Sequence, residues 1–312
     1  QRALQALPVS ALPAPSATIK EWTIPTAISN PYSVVVYGGK AYFAEEYGNI
    51  GCLDPSTNTI KEWAVPTAAP DLRGIAIYEG KVWFTELQKD KIGCLDPDTG
   101  TFTEWSLSDG SVWHGPYDIA VYGGRVYFTC AESKKIGRLD PSTDKITEWN
   151  LVGFEPAPPW GIAIDASGKV WFTRGAGWPY NNISCLDPSK NTLKEWTLPD
   201  YATYPWHITI SSDGKVWFTE YYGREKIGRL DPKGNKLTEW NVPTPVSGNS
   251  YPYGIIEDAM GNIYFTEHEG NQIGKLKPKG GTTRKITTAT QVVTPASYTS
   301  SPTSTIVAPT IN

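Results

Sequence analysis

The chain has 312 residues, 19% of them charged, and a formal net charge of −4, so it carries no basic footprint for nucleic acid and has ample material for a core. No run approaches the ~18 apolar residues of a helical membrane span. Thirteen Trp, 17 Tyr, 26 Pro and 29 Gly beside a single Met describe an all-β chain with many tight turns.

The sequence opens at Gln1 without an initiator Met, which leads us to expect a mature secreted protein, extracellular or at a cell surface. Residues 1–17 contain Leu7-Pro8-Val9-Ser10-Ala11-Leu12-Pro13-Ala14-Pro15. Each Pro fixes its own φ and keeps its predecessor out of the α region, so this stretch reads as an extended arm.

From 18 to 280 one unit repeats. Its fullest copy is Lys215-Val216-Trp217-Phe218-Thr219-Glu220, then Lys226-Ile227-Gly228-Arg229-Leu230-Asp231-Pro232, then Leu237-Thr238-Glu239-Trp240. The Trp of the last phrase recurs at 22, 63, 105, 149, 196 and 240, steps of 41 to 47 residues that suit four-stranded propeller blades. In the second copy, Gly74-Ile75-Ala76-Ile77-Tyr78 is an apolar inner strand, residues 82–86 the second, 91–95 the third and 101–105 the outer one. Gly38-Gly39, Glu79-Gly80, Gly123-Gly124, Ser167-Gly168, Asp213-Gly214 and Met260-Gly261 sit between strands one and two, where two-residue hairpins need positive φ. Asp-Pro pairs such as Asp54-Pro55 and Asp140-Pro141 open the turn after the third strand.

Inner, second and third strands occur six times, and the first outer phrase, Ile19-Lys20-Glu21-Trp22, precedes them all. The expected fold is a six-bladed β-propeller of four-stranded blades, with residues 18–24 completing the last blade. Residues 281–312 form a Thr/Ser/Pro-rich tail. Within it Arg284-Lys285-Ile286-Thr287 reads as a surplus outer strand competing with residues 18–24 for the last blade. Ile286, Val292, Val293, Ile306 and Val307 are candidates for adding to an exposed sheet edge. The expectation is a non-catalytic structural propeller that binds copies of itself head to tail, as a filament or surface array, through tail or strand exchange. A tail folded back on its own propeller is the competing arrangement.

Positions where the copies differ carry any site. The second residue of each inner strand is Tyr32, Arg73, Tyr117, Trp160, Trp206 or Tyr253, which should ring one mouth of the channel. They are a ligand-stacking platform or a plug of large side chains. Glu45, Glu86, Glu220 and Glu267 end the second strands, with Cys130 and Arg174 breaking the rule. They are a cation-binding ring or blade-to-blade hydrogen bonding. The glutamates ahead of each Trp read as blade scaffolding. His114, His207 and His268 fall at non-equivalent positions, and no nucleophile–base, P-loop or metal-ligand motif occurs, so no catalytic residue, cofactor or metal ligand is assigned. Cys52, Cys94 and Cys185 share one rank and, with Cys130, read as buried free thiols. Asn182-Ile183-Ser184 is a glycosylation sequon, so a glycan at Asn182 is expected as a candidate.

The phrases Val216-Trp217-Phe218-Thr219-Glu220, Lys226-Ile227-Gly228-Arg229-Leu230-Asp231-Pro232 and Pro252-Tyr253-Gly254-Ile255 resemble the streptogramin B lyase (virginiamycin B lyase) family, over about residues 18–287. The resemblance implies seven blades and a metal-assisted elimination that opens a cyclic depsipeptide at the channel mouth. It places catalytic histidines after the Pro of Pro-x-x-Ile in the last two blades. Those positions hold Trp206 and Tyr253, and His207 is one place late. The family's companion glutamates align with His268 and Tyr251. Indole and phenol cannot shuttle protons as imidazole does near neutral pH, so lyase chemistry is not expected. The alternative function is a ligand-binding or lyase-type propeller using the aromatic mouth.

Overall fold

The computed structural model describes residues 22–107, 113–151, 157–175, 181–199, 204–221, 225–243, 252–258, 260–267 and 272–311. Six antiparallel sheets follow one another in chain order. Blade 1 is Pro31–Tyr37, Lys40–Glu45, Asn49–Asp54 and Thr59–Ala64, and its pattern repeats with inner strands at Leu72–Tyr78, Pro116–Tyr122, Pro159–Ile164, Pro205–Ile210 and Pro252–Glu257. The six-bladed propeller is therefore observed, against the seven blades that the family resemblance implied. Alternation fills the gaps between blades: Ile75, Val82, Phe84 and Leu95 of blade 2 pack on Tyr42, Ala44, Ile50 and Trp63 of blade 1. In all but blade 4 a third-strand Gly lies under the Phe of the second strand, as Gly93 does under Phe84, because a Cβ there would collide with the ring.

Five blades have five strands rather than four, and the tail supplies the fifth. Thr282–Lys285 pairs with the outer strand of blade 5, Thr288–Val292 with blade 4, Pro295–Thr299 with blade 3, Thr303–Ile306 with blade 2 and Thr310–Ile311 with blade 1. The tail thus runs back around the rim as a belt, against the order of the blades. The surplus strand goes to blade 5, not to the last blade, because the chain crosses to the neighbouring edge after Gln272–Leu276.

The belt has a seven-residue step. The amides of Ile286, Val293, Ser300 and Val307 donate to the carbonyls of Asn235, Asn191, Asp144 and Gly100, one turn per blade, at 3.0, 2.8, 2.9 and 2.8 Å. These turn residues all have positive φ. The side chains of Asn235, Asn191 and Asp144 also accept the indole N–H of the preceding blade's Trp196, Trp149 and Trp105 at 2.9 Å each. Each joint ties two blades and the belt together. Of the edge-adding candidates, Ile286, Val293 and Val307 pack inward on the blades, while Val292 and Ile306 face solvent. All five are used on the chain's own rim.

Blade 6 has three strands among the described residues, and the closing strand expected over residues 18–24 is described only from Trp22, with no strand pairing there. Its contacts repeat those of the other outer strands: the Trp22 indole donates to Asn58 of blade 1 at 3.1 Å, and the Thr26 amide reaches Glu62 at 3.4 Å. Both place residues 22–26 against the rim of blade 1. Residues 1–17 lie outside the described residues.

Candidate functional site

Each inner strand slips register just after its first residue. The slip spans the mouth residue in every blade and turns it toward the axis. The structure brings all six predicted mouth residues together. Tyr32 and Tyr117 share a hydroxyl–hydroxyl hydrogen bond, and Tyr117 lies 3.1 Å from the Tyr253 hydroxyl. Tyr117 meets the Trp160 ring edge-on at 5.1 Å, and Trp160 stacks on Trp206 at 4.6 Å. The Arg73 guanidinium sits 4.5 Å from the Tyr32 ring centre, held by Asp71 at 2.6 Å and Glu46 at 2.9 Å. Burial pushes the Tyr32 and Tyr117 hydroxyls above their ordinary range, so both stay protonated donors. Large side chains meeting one another across the axis make a plug.

Above the plug lies a cup of about 710 Å³ lined by Asn30, Glu46, Arg73, Trp206, Tyr221 and Tyr253. Trp206 and Tyr221 stack at 5.2 Å. Aromatic faces beside a carboxylate and a guanidinium can stack a planar or sugar ring and hydrogen-bond its rim.

Among the described residues the second-strand glutamates do not form a cation ring. Glu45 and Glu86 are fully buried and turn toward the outer-strand Glu62 and Glu104 of their own blades. Burial and the facing carboxylate push each up to about 8, so these carboxyls are protonated at neutral pH. Glu220 is equally buried, and the side chain of Glu267 lies outside the described residues. Where the rule breaks, the partner changes. Arg174 pairs with Glu195 at 2.6 Å, both fully buried. Cys130 leaves room for His114 to reach Glu148 at 3.2 Å through Nε2, while Nδ1 meets Asp90 at 2.9 Å. With a carboxylate at each nitrogen the ring keeps both protons, and His114 is raised to about 9. Sequence reasoning flagged Arg174 and Cys130 but missed these pairs. The available signal was that the same two blades also depart from their neighbours at Asn182 and His114.

All four Cys are buried free thiols, with Cys94 and Cys185 pushed up to about 12 by burial. Asn182 begins a buried third strand, so the sequon is closed to a glycan in the folded chain. His207 lies 3.9 Å from Asp118, away from the cup lining, and His268 and Tyr251 lie outside the described residues.

A repeated four-strand unit, ring-shaped and plugged by aromatics, defines a β-propeller with a concave aromatic mouth. The virginiamycin B lyase family model matches residues 152–306. A streptogramin B lyase structure is 30% identical over 84% of this chain and 87% of its own, with a TM-score of 0.72. A catalytically inactive histidine-to-alanine variant of virginiamycin B lyase from Staphylococcus aureus, solved with quinupristin, is 28% identical over 86% and 87%, with a TM-score of 0.75. A search of curated proteins finds no match. The chain belongs to the virginiamycin B lyase family.

The two positions that the family resemblance gives to catalytic histidines are not histidine here. Trp206 and Tyr253 stand at the two histidine positions, both packed into the plug. Among the described residues no group of three His, Cys, Asp or Glu side chains is disposed to hold a metal ion. At those two positions the chain presents an indole and a phenol.

Proposed function

We propose that this chain is a non-catalytic member of the family, a secreted structural propeller that self-assembles head to tail by exchanging strands between copies. The observation that supports it is the belt. Its five ladders are main-chain pairs to outer edges, reached through the short hinge at residues 277–281, where Gly280 and Gly281 take positive φ. The same ladders form whether the tail comes from the chain's own propeller or from a neighbour, and a short hinge favours such exchange. An exchange that does not close on itself builds a filament. The test compares the native mass and negative-stain appearance of the chain with those of a version ending at Gly281. Assemblies that vanish on truncation are expected; a 34.3 kDa monomer in the untruncated chain sinks the reading.

A second reading is supported by the cup, where Trp206 and Tyr221 present stacked faces beside Arg73 and Glu46. A ligand-binding propeller would show quenching of Trp fluorescence by a neutral oligosaccharide such as cellotetraose, lost in Trp206→Ala. No quenching at millimolar sugar removes this reading for glycans.

A further inference from the structure

Below the plug the channel widens into a second hollow of about 420 Å³, lined by residues of all six blades. That size falls within the ~300–1,000 Å³ of small-molecule sites. Tyr32, Tyr117, Trp206 and Tyr253 close its upper end, and Val34, Ile255, Ile256 and Phe265 wall much of the rest. Val34 and Ile256 are 65% and 63% exposed and lie further along their strands than the plug residues. The hollow therefore opens to solvent on the side away from the cup.

The residue after each mouth residue forms a ring at the top of this hollow: Ser33, Gly74, Asp118, Gly161, His207 and Gly254. Two of the glycines answer to packing, since a Cβ on Gly74 would stand 2.9 Å from the Asp118 Cα, and one on Gly161 2.9 Å from the His207 Cα. Ser33 donates its hydroxyl to the Arg73 carbonyl at 2.6 Å. Asp118 and His207 alone bring ionisable groups into the ring. The Asp118 carboxylate accepts the amides of Ile119 and Ile162 at 2.9 Å each. Nε2 of His207 stands 3.9 Å from it, too far for a hydrogen bond, and Nδ1 of His207 is buried with no partner among the described residues.

The scaffold does not call for this carboxylate. The seam between blades 3 and 4, which Asp118 spans, is already tied by the Thr129 hydroxyl on the Trp160 carbonyl at 2.8 Å. Thr85 and Thr173 tie their own seams in the same way, with no carboxylate beside them. Burial raises the Asp118 carboxyl above its ordinary range, an effect that His207 offsets only in part. The remaining charge at the hollow, Arg73, is already engaged by Asp71 at 2.6 Å and Glu46 at 2.9 Å.

We propose that the channel below the plug binds an organic amine, with its ammonium between Asp118 and His207 and its apolar body against the rings and aliphatic walls. An ammonium donates to the open lone pairs of Asp118 and to Nε2 of His207, spanning a gap that the two side chains do not close themselves. Aromatic rings beside it add cation–π attraction. A hard metal ion would need six to eight oxygen ligands, and an anion would meet Asp118 with Arg73 already paired. The site stands apart from self-assembly, and the plug separates it from the cup.

The test is isothermal titration calorimetry of the full chain at pH 8 with phenethylamine, beside phenethyl alcohol and 3-phenylpropionate, which keep the ring and lack the positive charge. Phenethylamine should bind and the other two should not. Asp118→Asn should weaken binding on the order of 10- to 100-fold, the range for a hydrogen bond to a charged group. Because Asp118 also touches a blade seam, the exposed Val34 supplies a second check: Val34→Lys should weaken the amine and Val34→Asp tighten it, both with wild-type circular dichroism. No heat at millimolar phenethylamine, equal binding of the alcohol, or Val34 variants of unchanged affinity overturns the inference. Tyr221 lines the cup and not the channel, so binding lost in Tyr221→Ala but kept in Asp118→Asn puts the amine in the cup and overturns it as well.

Discussion

Replacing Arg174 with Met is expected to cost about 3–5 kcal/mol, among the largest single-residue losses available in this fold. Arg174 donates to Glu195 at 2.6 Å and to the Ala157 carbonyl at 3.1 Å from a site 1% exposed. Removing the guanidinium leaves the Glu195 carboxylate buried with Ser184 as its remaining donor, at 2.8 Å. A carboxylate so placed must either stay ionised at high cost or take up a proton. The second route predicts a pH signature: the deficit should shrink as pH falls from 8 to 5. The double replacement Arg174→Met with Glu195→Leu should recover most of the loss, since a packed apolar pair needs no counter-charge. Urea midpoints at the two pH values measure both. A single variant as stable as the wild type at pH 8 would show that the pair contributes nothing.

Stability of the wild type is expected to peak in mildly acidic solution and decline toward alkaline pH. The folded chain holds a proton on Glu45 and Glu86 up to about pH 8, whereas the unfolded chain releases it near 4.5. That contribution is complete below 4.5 and is lost as pH rises through 8. His114 acts in the same direction, held as a cation to about 9 against an ordinary 6.5, so its contribution is full below 6.5 and gone above 9. Glu148, lowered by the His114 and Lys135 hydrogen bonds, opposes them at the acid end: its contribution is present above 4.5 and lost below. The maximum therefore falls between about 4.5 and 6.5. For fully buried Glu86 the loss by pH 9 is on the order of 2 kcal/mol, after allowance for water reaching the ionised form. Glu86→Gln should flatten the melting-temperature profile above pH 6 and change it little at pH 5. A profile with unchanged slope in that variant would refute the assignment.

The ring was legible in the sequence because its determinants are local and repeated. A Trp every 41 to 47 residues, a glycine at each inner hairpin and an Asp-Pro after five of the six third strands are read without tertiary knowledge. The mouth residues were legible too, since Tyr32, Arg73, Tyr117, Trp160, Trp206 and Tyr253 vary where the scaffold is fixed. Whether they plug or bind depended on rotamers, which sequence does not carry. The belt was legible only as edge-adding residues such as Val292 and Ile306, not in its blade-by-blade course. Its strands are short and rich in Thr, and each borrows its register from a turn far away, as Val293 does from Asn191. The seven-residue step from Ile286 to Val293 to Ser300 to Val307 was present, but it answers to blade spacing, not to the period of a strand or helix. The exposure of Val34 was invisible for the opposite reason: in sequence it looks like Ile75 or Ile119, yet it is 65% exposed where they are buried.

The direction of the belt has a consequence for biosynthesis. Blades are made from the first to the sixth, and the strand that seals blade 1 is made after all of them, when Thr310 comes to pair with Glu62. Until then each finished blade has an open outer edge, the kind of edge that recruits stray strands. A stacked repeat can fray from either end, whereas here residues made after all six blades clasp the first of them. A protease should therefore cut interrupted translation products readily and finished chains slowly, so the rim itself distinguishes the two.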